Sequence, residues 1–298
     1  MSVRVQRLTW PILGLPAMAW MFLFLLIPFY VLLCTAFGSV DPLFQNSIPT
    51  WNPLEWRFTQ VSIVYDRLFG PENFYLPAVL RTISFVSIAV VISLLIAFPV
   101  AYFTAKYAGR YKALVLTLLV APFFISYMMR MLAWVNLLQR DGIVNNVISL
   151  GGLLPVEVNW LSGKPYTVVM GLIYGYVPYM ILPLFAALDR ISPSLLEAAR
   201  DLGAGGFDVF KRVIFPLSIP GIAAGTLLIA LPMMGDYFTT DLLSGSPETS
   251  MIGNLINTSI LAPGQSGQAA ALILVLLVVL AAPMIWYTRS TVSAEARS

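Results

Sequence analysis

The chain has 298 residues, 59% of them hydrophobic and 10% charged, and its mean hydropathy is +0.84. A soluble domain carries about 25% charged residues, so the composition excludes an ordinary soluble enzyme and predicts an all-α membrane protein. The absence of histidine removes His-based triads and the HExxH zinc motif, the lone Cys34 can form neither an intrachain disulfide nor a cysteine metal cluster, and a formal charge of +3 without a long basic run offers no track for nucleic acid.

One bilayer crossing takes about 20 apolar residues. Runs of that length fall at 10–37, 76–105, 113–138, 166–188, 214–235 and 269–287, which predicts six transmembrane helices in a single domain over 1–298. The first follows Arg4 and Arg7 and lacks a small-residue cleavage site, so it reads as a retained anchor. Residues 38–75 are rich in proline and aromatics (Pro42, Pro49, Trp51, Pro53, Trp56), which suits an interfacial segment. In the segment 139–164, Ile143 to Leu150 is too short to span and predicts a surface helix ended by Gly151 and Gly152.

With the N-terminus inside, eleven of the 17 lysines and arginines fall on the inner side: Arg4, Arg7, Lys106, Arg110, Lys112, Arg190, Arg200, Lys211, Arg212, Arg289 and Arg297. The remaining six, Arg57, Arg67, Arg81, Arg130, Arg140 and Lys164, are thinly spread over longer outer segments. The positive-inside rule therefore predicts that both termini are cytoplasmic. Five acidic residues lie inside (Asp189, Glu197, Asp201, Asp208, Glu295), leaving a balance of +6 there and −3 outside. The outer excess either mirrors the insertion rule or makes a mouth that attracts cations.

The connection 191–215 between the fourth and fifth helices carries the strongest local signal. Ser192 is a plausible N-cap with Pro193 at the first helical position, and Gly203 can take the left-handed conformation that ends a helix. Helical spacing places Leu195, Ala198, Ala199 and Leu202 on one face and Glu197, Arg200 and Asp201 on the other. A second short segment, 207–215, precedes Pro216, which is expected to open the fifth crossing. So short a helix is marginal alone. It is either a connector packed on its own membrane helices or an element that docks in a partner's groove.

Glu197-Ala198-Ala199, three residues, Gly203, nine residues, then Val213-Ile214-Phe215-Pro216 resembles the EAA motif of the permease subunits of type I ABC importers, with Val213 and Phe215 in place of isoleucine and leucine. Ala121-Pro122-Phe123-Phe124-Ile125-Ser126, Arg130, Ala133-Trp134 and Gly142-Ile143-Val144-Asn145 are similar to the third crossing of spermidine/putrescine-type permeases and the loop after it. Gly235-Asp236-Tyr237-Phe238-Thr239 and Met251-Ile252-Gly253-Asn254 resemble the same subfamily after its fifth crossing. The resemblance covers about 76 to 288. It implies a bacterial inner-membrane permease whose Glu197, Ala198, Ala199 and Gly203 form a cytoplasmic coupling helix. Two ATPase subunits would bind ATP and Mg²⁺, an extracytoplasmic binding protein would deliver the polyamine, and a second permease, favoured to be a different chain, would complete the path. The chain has no GxxxxGK[ST] loop, so hydrolysis is expected elsewhere.

An ionisable group at the edge of a crossing is costly and is by default a functional candidate. Asp236 follows Pro232-Met233-Met234-Gly235, where irregular backbone is expected to line a cavity, and with Tyr237 and Asp241 nearby it is the leading candidate for an ammonium partner. The alternative is that Asp236 caps local backbone or pairs with Arg130. Tyr174, Tyr176 and Tyr179 lie mid-crossing near Gly175 and Pro178, with Tyr176 and Tyr179 either in a pore constriction or in packing. Tyr127 and Trp134 are belt residues or pathway residues. Two rival classes remain open. A stand-alone secondary transporter would move solute without an ATPase. An intramembrane aspartyl protease is faintly suggested by Tyr65-Asp66 and Gly235-Asp236, but Met233 stands where that family has glycine.

Overall fold

The computed structural model describes residues 3–71, 73–150 and 158–295, with side chains described for 14–71, 73–149, 158–281, 284 and 285. Gly151 and Gly152, expected to end the surface helix, lie outside the described residues, as do Glu72 and Glu157 of the outer acidic set. The side chains of Arg4, Arg7, Arg289, Glu295 and Arg297 do so as well.

The described chain is helical nearly throughout, as it must be where lipid offers no partner for backbone N–H and C=O groups. Among the described residues, four helical stretches are long and apolar enough to cross a membrane: Gly14–Ala36 within α1 (Val3–Ala36), α3 (Leu76–Lys106), α7 (Pro165–Asp189) and Gly206–Met234. Between them lie α2 (Thr59–Phe69), α4 (Lys112–Val120), α5 (Tyr127–Leu138), α6 (Ile143–Leu150), α8 (Pro193–Asp201), α9 (Gly206–Val209) and α10 (Phe215–Met234). The chain then continues through α11 (Phe238–Leu243), α12 (Ile252–Leu261) and α13 (Ser266–Glu295), the last containing the sixth predicted run.

Two boundaries differ from the sequence expectation. The run 113–138 is not one helix: α4 tightens into a 3₁₀ turn at Ala121–Phe124, and Ile125 and Ser126 are extended. The helical segments on either side of this break are bent by 86°. Pro122 has no N–H with which to continue the α-helical ladder, and apolar composition alone does not register that loss. The fifth spanning helix begins at Gly206 and not at Pro216. A widened π-helical turn over Phe210–Ile214 carries the chain into α10, giving the proline ring room beside the preceding turn.

The chain forms two compact units, one from 1–75 with 256–275 and the other from 76–255 with 276–298. In the first, a two-stranded antiparallel ribbon pairs β1 (Ser39–Val40) with β2 (Ser47–Ile48), Ser39 opposite Ile48. Helix α2 buries Gln60, Val64 and Leu68 along one stripe, and the Arg67 guanidinium donates to Tyr75 Oη (2.6 Å) and Gln268 Oε1 (2.9 Å).

The second unit is built on α3, α7 and α10, around a core that includes Ala97, Ala101, Met180, Leu184, Ile229 and Met233. Lipid gives apolar helices no hydrophobic reason to associate, so close packing must hold them. A Cβ on Gly221 of α10 would lie 2.5 Å from that of Ala187, and one on Gly225 would lie 3.1 Å from Met180 Sδ. These two glycines, four residues apart, let α10 lie close against α7.

Candidate functional site

The Asp236 carboxylate sits just beyond the end of α10 and is buried, at 6% exposure. Tyr127 Oη, on the first residue of α5, donates to Asp236 Oδ2 at 2.6 Å, and Tyr176 Oη, from the middle of α7, donates to the same oxygen at 3.3 Å. Thr239 Oγ1 donates to Oδ2 at 2.7 Å while Thr239 N–H donates to Oδ1 at 3.1 Å. The capping alternative is thus correct as far as it goes: Asp236 caps the start of α11 through Thr239. It also gathers hydroxyls from two other helices, and the resulting charge-assisted bonds are the stronger kind.

The rings of Tyr127 and Tyr176 lie 5.5 Å apart and form part of the wall of a cleft of about 460 Å³ that Phe123, Phe124, Arg130 and Tyr179 also line. Asp236 therefore lies behind the tyrosines. Tyr127 takes its place because Gly175 has no side chain: a Cβ there would be 2.6 Å from Tyr127 Cε2. The alternative ion pair between Asp236 and Arg130 is not formed. Arg130 is 6% exposed, its Nε and Nη1 are enclosed without a hydrogen-bond partner, and its Cζ stands 4.2 Å from the Phe123 ring centroid and 5.4 Å from that of Tyr127.

The other sequence candidates fall elsewhere. Tyr179 reaches the cleft but packs edge-on against Phe123, at 5.3 Å, and makes no bond to the carboxylate. Tyr237 stacks on Phe238 at 4.2 Å, and its carbonyl accepts from Asn254 Nδ2 at 3.1 Å. Asp241 is exposed and accepts from Asn254 Nδ2 at 2.6 Å. Burial pushes the Asp241 carboxyl up from its ordinary range, the Asn254 amide opposes that shift, and the nearby Asp236 carboxylate adds to it. Trp134 packs edge-on against Tyr174, at 5.2 Å, in a separate cluster with Met131, Leu138 and Leu243. Sequence reasoning missed Thr239, Phe123 and the packing role of Gly175. The Asp-x-x-Thr spacing of a cap and the Gly171-x-x-x-Gly175 pair were the available signals. Among the described residues no three acidic or cysteine side chains converge as metal ligands.

A second candidate surface is the connection 191–215. Helix α8 ends as expected at Gly203, whose φ is +84°. Gly203 N–H donates to Arg200 O (2.8 Å) and Ala204 N–H to Ala199 O (3.1 Å), the two bonds of a Schellman motif. Ser192 occupies the cap position, but its side chain makes no capping bond. Of the apolar face that helical spacing gives, only part turns inward. Leu196 is buried in the core with Ala199 packed beside it, whereas Leu195 and Leu202 stay exposed, Leu202 at 90%. Glu197 and Ala198 are exposed too. The root of the connection is tied down, since Lys106 Nζ donates to Ile191 O at 2.6 Å and Lys112 pairs with Asp189.

Comparison with known proteins bears on both surfaces. The family described as "Binding-protein-dependent transport system inner membrane component" matches residues 89–290. The chain is 36% identical over 244 residues to the spermidine/putrescine transport system permease protein PotB of Haemophilus influenzae, covering 82% of this chain and 80% of that protein. It is 33% identical over 274 residues to the inner membrane ABC transporter permease protein YdcU of Escherichia coli, covering 88% and 86%. Among solved structures, a chain of a bacterial alginate ABC transporter in complex with its pentasaccharide-bound periplasmic protein superposes with a TM-score of 0.67 at 19% identity, over 96% of this chain and 94% of that one. At that identity the likeness is one of fold.

Proposed function

The chain belongs to the inner-membrane components of binding-protein-dependent transport systems, and from that premise we propose that it is the permease subunit of a polyamine-importing ABC transporter. The observation that carries the substrate reading is the buried Asp236 carboxylate held by the hydroxyls of Tyr127 and Tyr176, whose rings face the cleft. Tyrosine faces attract ammonium groups by about 0.5–2 kcal/mol each, and a carboxylate behind them adds a field of the same sense. The similarity to PotB of Haemophilus influenzae supports the same cargo.

The coupling reading rests on Glu197, Ala198, Ala199 and Gly203. Exposed Leu195 and Leu202 give α8 an outward apolar edge beside exposed Glu197, suited to a groove in a cytoplasmic ATPase subunit. Closure of two such subunits around ATP and Mg²⁺ pulls on α8. The buried Leu196 and the Lys106 bond to Ile191 pass that displacement to α7 and α3. A second permease, a different chain, completes the path, and an extracytoplasmic binding protein delivers the cargo. The excess of lysine and arginine near the ends of the chain puts both termini in the cytoplasm.

Uptake of labelled putrescine and spermidine is measured in proteoliposomes holding the full transporter. Asp236→Asn is expected to lower uptake severalfold while the partner chains still co-purify; undiminished uptake overturns the cation path. The match to YdcU favours no particular solute, so a different small cargo is the second reading, and failure of the wild type to import any polyamine would select it. Transport by this chain alone in liposomes would instead select a secondary transporter.

A further inference from the structure

Arg130 is a buried cation to which, among the described residues, neither a hydrogen bond at Nε or Nη1 nor an ion pair gives a partner. Arginine keeps its proton in proteins, and an enclosed charge without a partner is costly. The Asp236 carboxylate is engaged by Tyr127, Tyr176 and Thr239 instead. What the guanidinium does touch is aromatic, with Cζ 4.2 Å from the Phe123 centroid and 5.4 Å from that of Tyr127, both within cation–π range. Those rings line the cleft, and a substrate ammonium entering it meets the same faces.

We propose that the Arg130 guanidinium is a tethered cation that occupies the seat of a substrate ammonium on Phe123 and Tyr127, so that a solute enters the cleft by displacing it. The inference rests on the cationic-cargo reading of this cleft and adds a selectivity rule to it. Exchange of one cation for another on the same rings gains almost nothing, so a monoamine competes poorly. A second or third ammonium brings further attraction toward Asp236 and tips the exchange. The guanidinium leaves easily because its enclosed Nε and Nη1 have no hydrogen bonds to surrender, and each can gain one from water on moving out. Arg130 is then a specificity-determining residue that favours polycations over monoamines.

The test uses the complete complex of this chain with its second permease and ATPase subunits, in detergent and without binding protein, so that selection by the binding protein does not enter. Affinities for butylamine, putrescine and spermidine are read from thermal stabilisation of the wild type, Arg130→Gln and Arg130→Lys, with glutarate as an anionic probe. The wild type is expected to bind spermidine best and butylamine worst. Arg130→Gln is expected to bind putrescine about tenfold tighter and to narrow the gap between butylamine and spermidine, while Arg130→Lys stays near the wild type. Unchanged or weaker amine binding by Arg130→Gln overturns the proposal. So does stabilisation of the wild type, but not of Arg130→Gln, by glutarate, which would make the guanidinium an anion subsite. If Arg130→Gln fails to assemble, the wild-type series decides, and equal stabilisation by butylamine and spermidine overturns the proposal. Absence of any amine binding or import overturns the cargo reading and the proposal with it, whereas amine binding that is no tighter in Arg130→Gln overturns the tethered cation alone.

Discussion

Tyr127 and Asp236 stand 109 residues apart in the chain and share a 2.6 Å hydrogen bond. It joins the first turn of α5, just past the bend, to the segment that leaves α10. A hydrogen bond to a charged acceptor is worth about 1.5–3 kcal/mol. Tyr127→Phe is therefore expected to lower the thermal midpoint of the purified complex and to slow polyamine uptake. A midpoint equal to that of the wild type would show that Tyr176 and Thr239 suffice for the carboxylate.

Gly175→Ala places a methyl group 2.6 Å from Tyr127 Cε2 and 2.9 Å from its Oη, so the ring must shift and the bond to Asp236 is expected to break. Uptake is expected to fall about as far as in Tyr127→Phe, since both changes break the same bond. In a Tyr127→Ala background the added methyl has no ring to strike, and its further effect should vanish. A double-mutant cycle measures this directly, and additive effects would refute the contact.

At Gly203 no atom lies within 4 Å of where a Cβ would be, but φ is +84°. The cost of substitution is then one of backbone conformation and not of space. Gly203→Val is expected to lose about 1–2 kcal/mol at the end of α8 and to reduce both ATPase co-purification and uptake. Gly203→Asn should retain most of each, because asparagine tolerates the left-handed region. Equal loss in both variants would point to a steric role at the docking surface.

Two leucines on α8 and its cap should separate folding from coupling. Leu196→Ala removes a side chain packed in the core and is expected to cost about 2–5 kcal/mol of stability. Leu202, 90% exposed, contributes little to the fold. Leu202→Asp should leave the thermal midpoint near that of the wild type yet weaken ATPase binding in a pull-down. If binding survives, the outward edge of α8 is not what the ATPase holds.

Much of this was legible along the chain. Four of the six apolar runs, 10–37, 76–105, 166–188 and 214–235, coincide with helical stretches long and apolar enough to span, because lipid imposes a minimum length on any uncharged segment. Gly203 was legible because the left-handed cap favours glycine, and Asp236 stood out as a carboxylate at the edge of a crossing. The sequence leaves open which face of α8 turns inward: Leu195 and Leu196 are adjacent, and helical spacing alone does not say which of them meets the core. The break at Ile125–Ser126 was hidden because Pro122 lies within an unbroken apolar run.

The sequence by itself determined the membrane-spanning character of the chain, four of its spanning helices, the EAA-like motif and the cap that ends α8. Each follows from hydropathy or from spacing within a few residues, where the physics is local. Only the tertiary structure decided that Tyr127 and Tyr176, and not Tyr237 or Trp134, reach Asp236, and that Arg130 rests on aromatic rings instead of a carboxylate. Those outcomes depend on an 86° bend and on a glycine that lets a ring lie against α7. Such contacts between distant segments are set by packing, which no local pattern of residue types encodes.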